Sequence, residues 1–90
     1  MRIEWTLFAI ERVEVLTEFL AGRSPRAAAR IIEDLLDRVA ALADHPELGP
    51  VHPILQDLDV RQMYFGAYRI LYRADRTANT VSVIDQAVAA

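Results

Sequence analysis

No cysteine occurs in the 90 residues, which excludes disulfides, thiolate nucleophiles and thiolate metal ligands. Lysine is missing as well, so all ten basic residues are arginine. No apolar run reaches the length of a membrane span and nothing at the N-terminus reads as a signal peptide, so a cytoplasmic protein is expected. The three glycines are scattered, and none belongs to a phosphate-cradling loop. There is no Ser/His/Asp set and no pair of carboxylates placed for a cleft. The two histidines, His45 and His52, lie in a proline-rich stretch without a cysteine or a helical histidine partner. Neither a metal site nor a cofactor is expected from them. These absences remove most familiar enzyme chemistries and direct attention to binding.

What is present is apolar. Hydrophobic residues make up 53% of the chain, a high share for this length. That composition supports one domain over residues 1–90 with a modest core, and leaves apolar surface for a partner. The net charge of -3 conceals an asymmetry: residues 1–59 hold six arginines against eleven acids, whereas residues 60–90 hold four against two. A mildly acidic domain binds nucleic acid poorly by charge alone, because phosphate contacts require cations.

Arg2–Trp5 reads as a short opening strand, and Thr6 as the N-cap of a helix from Leu7 to about Ala21. Phe8, Val13, Val15, Leu16, Phe19 and Leu20 form one broad apolar stripe on it, opposite a solvated face of Glu11, Glu14 and Glu18. Trp5 and Phe8 are expected as core anchors. Gly22 stops this helix and Ser24-Pro25 starts a second, running to about Ala43. Its stripe is Ala28, Ile31, Ile32, Leu35, Leu36, Val39 and Leu42, and Arg30–Asp34 and Asp34–Arg38 are spaced to pair on its outer side. So short a link makes an antiparallel helix hairpin. His45 to Asp59 is loop, with three of the four prolines. Strand patterns follow over Val60–Phe65, Ala67–Ala74 and Thr80–Val88, with a tight reversal at Gly66. The order β-α-α-β-β-β predicts an α+β fold: a helix hairpin on one face of a small, mainly antiparallel four-stranded sheet.

The run Tyr68-Arg69-Ile70-Leu71-Tyr72-Arg73 is the most informative segment. Alternation puts Tyr68, Ile70 and Tyr72 on one face and Arg69, Leu71 and Arg73 on the other. Arg61, on the neighbouring strand, joins Arg69 and Arg73 if the register allows, and such a face binds phosphates or carboxylates bidentately. Intramolecular pairing of each arginine is the structural alternative. Asp85 falls in phase with Val81 and Val83, so either the strand bulges or Asp85 closes a structural salt bridge with a sheet arginine. Tyr64, Tyr68 and Tyr72 are expected in or at the edge of the core.

Taken in order, Trp5, Ser24-Pro25 with Ala27-Ala28-Ala29-Arg30, Leu42 with Pro46, Leu48 and Gly49, Arg61, the Tyr68–Arg73 run and Val81/Val83 make the chain resemble the RelE/ParE toxin superfamily of bacterial type II toxin–antitoxin systems. The resemblance implies a helix hairpin on a small sheet and a cognate antitoxin as partner. It also implies one of two targets. RelE-like members cleave mRNA on the ribosome, using basic residues to hold phosphate and Tyr, His or Glu to move protons. ParE-like members have lost most of that set and act on DNA gyrase. Arg69 and Arg61 match basic positions of the family, but the family's next basic position along the Arg61 strand is occupied here by Met63. The end of the last strand, Ile84 to Ala90, carries neither His nor Tyr. A missing acid or base commonly removes 10²–10⁴-fold, roughly, of a nuclease rate. The resemblance therefore implies a ParE-like, non-catalytic gyrase inhibitor with Arg61, Arg69 and Arg73 as target-binding residues. The alternatives are a RelE-like ribosome-dependent endoribonuclease with a reduced site, or a degenerate toxin that only binds its antitoxin.

Overall fold

A computed structural model of the chain describes residues 1–88. Strand β1 (Arg2–Trp5) leads into helices α1 (Leu7–Arg23) and α2 (Pro25–Ala40), followed by strands β2 (Val60–Phe65), β3 (Tyr68–Asp75) and β4 (Thr80–Val88). The sheet order is β1-β4-β3-β2, with β1 parallel to β4 and the remaining neighbours antiparallel. The expected α+β architecture is the one observed.

Local chemistry sets the element ends. The Thr6 hydroxyl accepts from the Ala9 N–H at 3.1 Å and so caps α1. Ser24 alone links the helices: its N–H closes α1 on the Leu20 carbonyl, and its side chain caps α2 through the Ala27 N–H. Pro25 takes the first position of α2, where no N–H is needed. Between β2 and β3, Phe65 pairs with Tyr68 across a two-residue turn whose Gly66 has φ 57°. That left-handed geometry suits glycine.

The helix hairpin covers one face of the sheet. The core gathers Ala9 of α1, Leu35 and Val39 of α2, Leu42 beyond it, and Met63, Ile70, Tyr72, Val81 and Val83 of the sheet. Leu35, Leu42, Val39, Val81 and Val83 are almost wholly buried, and each such side chain contributes about 1.5–3 kcal/mol relative to exposure.

Several expectations need correction. Phe8, Val15 and Phe19 are not core: they are 55%, 66% and 61% exposed, because Ala9, Val13, Leu16 and Leu20 make the inward side of the helix. The pairs Arg30–Asp34 and Asp34–Arg38 do not form among the described residues; the Arg38 guanidinium instead lies 5.0 Å over the Phe65 ring. Helix α2 tightens into a 3₁₀ turn over Ala41–Ala43.

The long loop is tied down by Tyr72. Its buried hydroxyl donates to the Pro46 carbonyl at 2.7 Å and accepts from the Gly49 N–H at 2.8 Å. Gly49 sits so close to β2 that a Cβ there would stand 2.4 Å from the Gln62 carbonyl oxygen. Burial pushes the Tyr72 phenol above its ordinary pKa, against the opposing pull of the Gly49 hydrogen bond and the Arg61 charge.

Candidate functional site

Register decides which arginines share a face. Arg69 stands opposite Tyr64 on β2 and Ala87 on β4, while Arg73 stands opposite Val60 and Ser82. Both belong to the face that the helices leave open. Spaced four residues apart on one strand, they lie about 14 Å from each other. Among the described residues neither makes an ion pair. Arg61 stands opposite Tyr72, on the other face, and donates to the Gly49 carbonyl at 2.8 Å. The three-arginine face is therefore not assembled. Arg61 is occupied in holding the loop that Tyr72 also holds, and the open face keeps Arg69 and Arg73.

Arg61 and Arg73 do meet at the sheet end. With Arg76, Glu47, Asp59 and Asp75 they line a cleft of about 290 Å³. Arg76 lies 3.4 Å from Glu47, both exposed, so that pair is weak. The cleft balances three guanidiniums with three carboxylates, which disfavours a free polyanion there.

Tyr64 was expected in the core or at its edge and is 54% exposed. The same row sets it beside Arg69 on the open face. Counting back from the two-residue turn at Gly66 would have placed it, since that turn fixes Phe65 against Tyr68 and hence Tyr64 against Arg69.

Asp85 lies at an irregularity in β4. The β3 partner of Leu71 is Asp85, but that of Tyr72 is Val83, so Ile84 is the extra residue of a bulge. The bulge takes Asp85 out of phase with Val81 and Val83. Its nearby arginine is not on the sheet: Arg12 of α1 brings Nε to 3.4 Å from Asp85 Oδ1. At that length the contact is an ion pair without a formed hydrogen bond, because the same Nε donates to the Gln86 carbonyl at 3.1 Å. Arg12 was not singled out from sequence. Its role depends on β1 ending at Trp5, opposite Val83, which leaves the rest of that β4 edge to α1. There the Thr6 hydroxyl donates to the Ile84 carbonyl and Arg12 to that of Gln86. Two side chains thus replace a strand.

The sequence matches the family described as ParE toxin of type II toxin–antitoxin system, parDE, over residues 3–85. The chain belongs to this family. Among similar proteins, the toxin candidate Y4kP of Sinorhizobium fredii is 38% identical over 48 residues, a stretch covering 53% of this chain and 50% of that protein. The chain thus matches about half the length of that curated relative. A chain from the toxin–antitoxin complex RelBE2 of Mycobacterium tuberculosis shares the fold, with a TM-score of 0.67 at 22% identity over 97% of this chain and 95% of that one.

For a ParE-family chain, the apolar outer surface of α1 is as notable as the arginines. Leu7, Phe8, Val15 and Phe19 are all more than half exposed, and Val15 and Phe19 with Val88 of β4 border a groove between the helix and the sheet. No helix is long and apolar enough to cross a membrane, among the described residues. Nor does any group of three His, Cys, Asp or Glu side chains among them converge as a metal site.

Proposed function

We propose that the chain is the toxin of a type II toxin–antitoxin pair, acting in the bacterial cytoplasm by binding DNA gyrase and held inactive by a cognate antitoxin. The match to the ParE family over residues 3–85 carries this reading. Two features support it. The open sheet face offers Arg69 and Arg73 without internal ion-pair partners among the described residues, as a contact surface for a partner's carboxylates or phosphates requires. The β4 residue beside Arg69 is Ala87, which has no proton to give or take.

One observation favours a second reading. Tyr64 stands opposite Arg69 and is exposed, so a group able to transfer a proton adjoins one able to hold phosphate, as a ribosome-dependent ribonuclease would use. Both readings are tested by purified protein in a gyrase supercoiling assay alongside translation-dependent mRNA cleavage. On the gyrase reading, Arg69→Ala weakens inhibition by about 2 kcal/mol or more, roughly thirtyfold, while Tyr64→Phe has little effect. mRNA cleavage by the parental protein, lost in Tyr64→Phe, with supercoiling untouched, would replace the first reading by the second. A parental protein that does neither while binding its antitoxin would be a degenerate toxin.

A further inference from the structure

The segment that follows the second histidine is ordered by an acceptor that a proton removes. His52 precedes Pro53, which has no N–H, so the first main-chain donors beyond it are those of Ile54 and Leu55. Both donate to one ring atom. His52 Nδ1 accepts from the Ile54 N–H at 3.1 Å and from the Leu55 N–H at 3.2 Å. Asp and Asn start turns in this way with a side-chain oxygen, and His52 does it with a ring nitrogen. Accepting at Nδ1 requires the neutral ring, with its hydrogen on Nε2. The Leu58 N–H then donates to the Leu55 carbonyl at 3.0 Å and closes the short 3₁₀ turn Gln56–Leu58.

Side-chain burial adds little here, since Ile54 and Leu58 are 82% and 61% exposed. The ties to the sheet run through the main chain. Val51 pairs with Arg61, which sets His52 beside Val60, with Arg73 next in the row. The His52 N–H donates to the Val60 carbonyl at 2.7 Å, and the Val60 N–H donates to the Leu55 carbonyl at 3.4 Å. Both outward main-chain groups of Val60 are therefore held by the turn that His52 organises.

No carboxylate stands ready to stabilise a cation at this ring. Asp57 in the 3₁₀ turn and Asp59 before β2 are the acids nearest in the chain, and among the described residues neither pairs with it. Glu47 is engaged with Arg76, and Asp75 accepts from the Ala78 N–H. On β2, the Arg61 guanidinium is turned to the Gly49 carbonyl. On β3, Arg73 opposes a second positive charge in its row.

We propose that His52 is a pH-sensitive latch, which when neutral folds residues 52–58 against the edge of β2 and when protonated lets them go. A histidine ring takes up its proton between about pH 8 and pH 5. A hydrogen on Nδ1 would point at two N–H groups, so both hydrogen bonds are lost together. Order in the segment is complete on the alkaline side and falls as the pH falls, baring the outer edge of Val60 beside Arg73. The latch operates whichever target the chain has.

The test follows the isotopically labelled chain by NMR from about pH 8 to pH 5, reading the His52 ring protons and the solvent exchange of the Ile54 and Leu55 amides, corrected for the intrinsic effect of pH on exchange. Protection of these two amides is expected to fall roughly tenfold as the ring titrates, the worth of a typical hydrogen bond, while amides of β3 and β4 keep theirs. His52→Asn supplies an acceptor for the same turn and takes up no proton, so its two amides are expected to stay protected throughout. His45→Gln removes the other titrating ring and is expected to behave as the parent. A His52 ring that titrates without loss of protection, or an equal loss in His52→Asn, overturns the latch. So does a ring that stays neutral down to about pH 5, since His52 would then be a fixed cap and no switch.

Discussion

Tyr72 is the residue on which the loop depends. Its hydroxyl satisfies one buried donor and one buried acceptor of the backbone, at Gly49 and Pro46. Tyr72→Phe leaves both unpaired and is expected to cost about 1–3 kcal/mol in urea unfolding. The raised phenol pKa has a definite sign. The folded state keeps its proton at pH values where the unfolded chain, titrating near 10, has begun to lose it. Stability contributed by this group is complete below pH 10, roughly, and falls as the pH rises toward the folded-state pKa. The parent should lose stability in that alkaline window more steeply than Tyr72→Phe, as unfolding curves at pH 9 and above would show. A different expectation holds at Asp85. Arg12 is half exposed and recovers water when its partner is removed, so Asp85→Ala should cost only about 1 kcal/mol, and Asp85→Asn less. A loss of several kcal/mol would mean that Arg12 is far more dependent on the carboxylate than its exposure indicates.

At the scale of elements, strands and helices were legible in the sequence and their faces were legible only in part. The strand pattern identified Val60–Phe65 and Thr80–Val88 correctly because β-branched and aromatic residues cluster there between turn residues. The face assignment of Arg69 and Arg73 followed from alternation alone. Arg61 did not, since its face depends on pairing, and the decisive clue was the length of the turn at Gly66. Asp85 was ambiguous because a bulge shifts phase without any residue that announces it. Helix α1 failed for another reason. Ala9, Val13, Leu16 and Leu20 have the spacing of a buried stripe, and Phe8, Val15 and Phe19 have much the same spacing rotated by one residue, about 100° around the axis. A single sequence does not distinguish one wide stripe from two separate ones. The structure shows two, one facing inward and one outward. Replacing Val15 and Phe19 with Gln should therefore change folding stability by only about 0.5 kcal/mol per site. The same double variant should self-associate less in light scattering and, on the function proposed above, bind a cognate antitoxin more weakly. Severe destabilisation would place these side chains in the core after all.

For the molecule as a whole, the position of β4 has a consequence in time. This strand is the last of the described chain to be synthesised, yet it lies inside the sheet, with β1 on one flank and β3 on the other. Arg2 meets Thr80 and Trp5 meets Val83, so β1 has no partner strand until β4 has been made. Pairings of such long sequence separation form slowly, and a domain folds as a unit once its parts are present. A chain released after Ala78 has no partner strand for β1 and loses the wall formed by Val81 and Val83. It is expected to show weak, non-cooperative melting and no growth inhibition, which circular dichroism and a plating assay would test. A truncated chain that melted cooperatively would refute this. On the function proposed above, a nascent polypeptide stopped short of β4 is harmless, and inhibition begins only once the strand that joins β1 to β3 has left the ribosome.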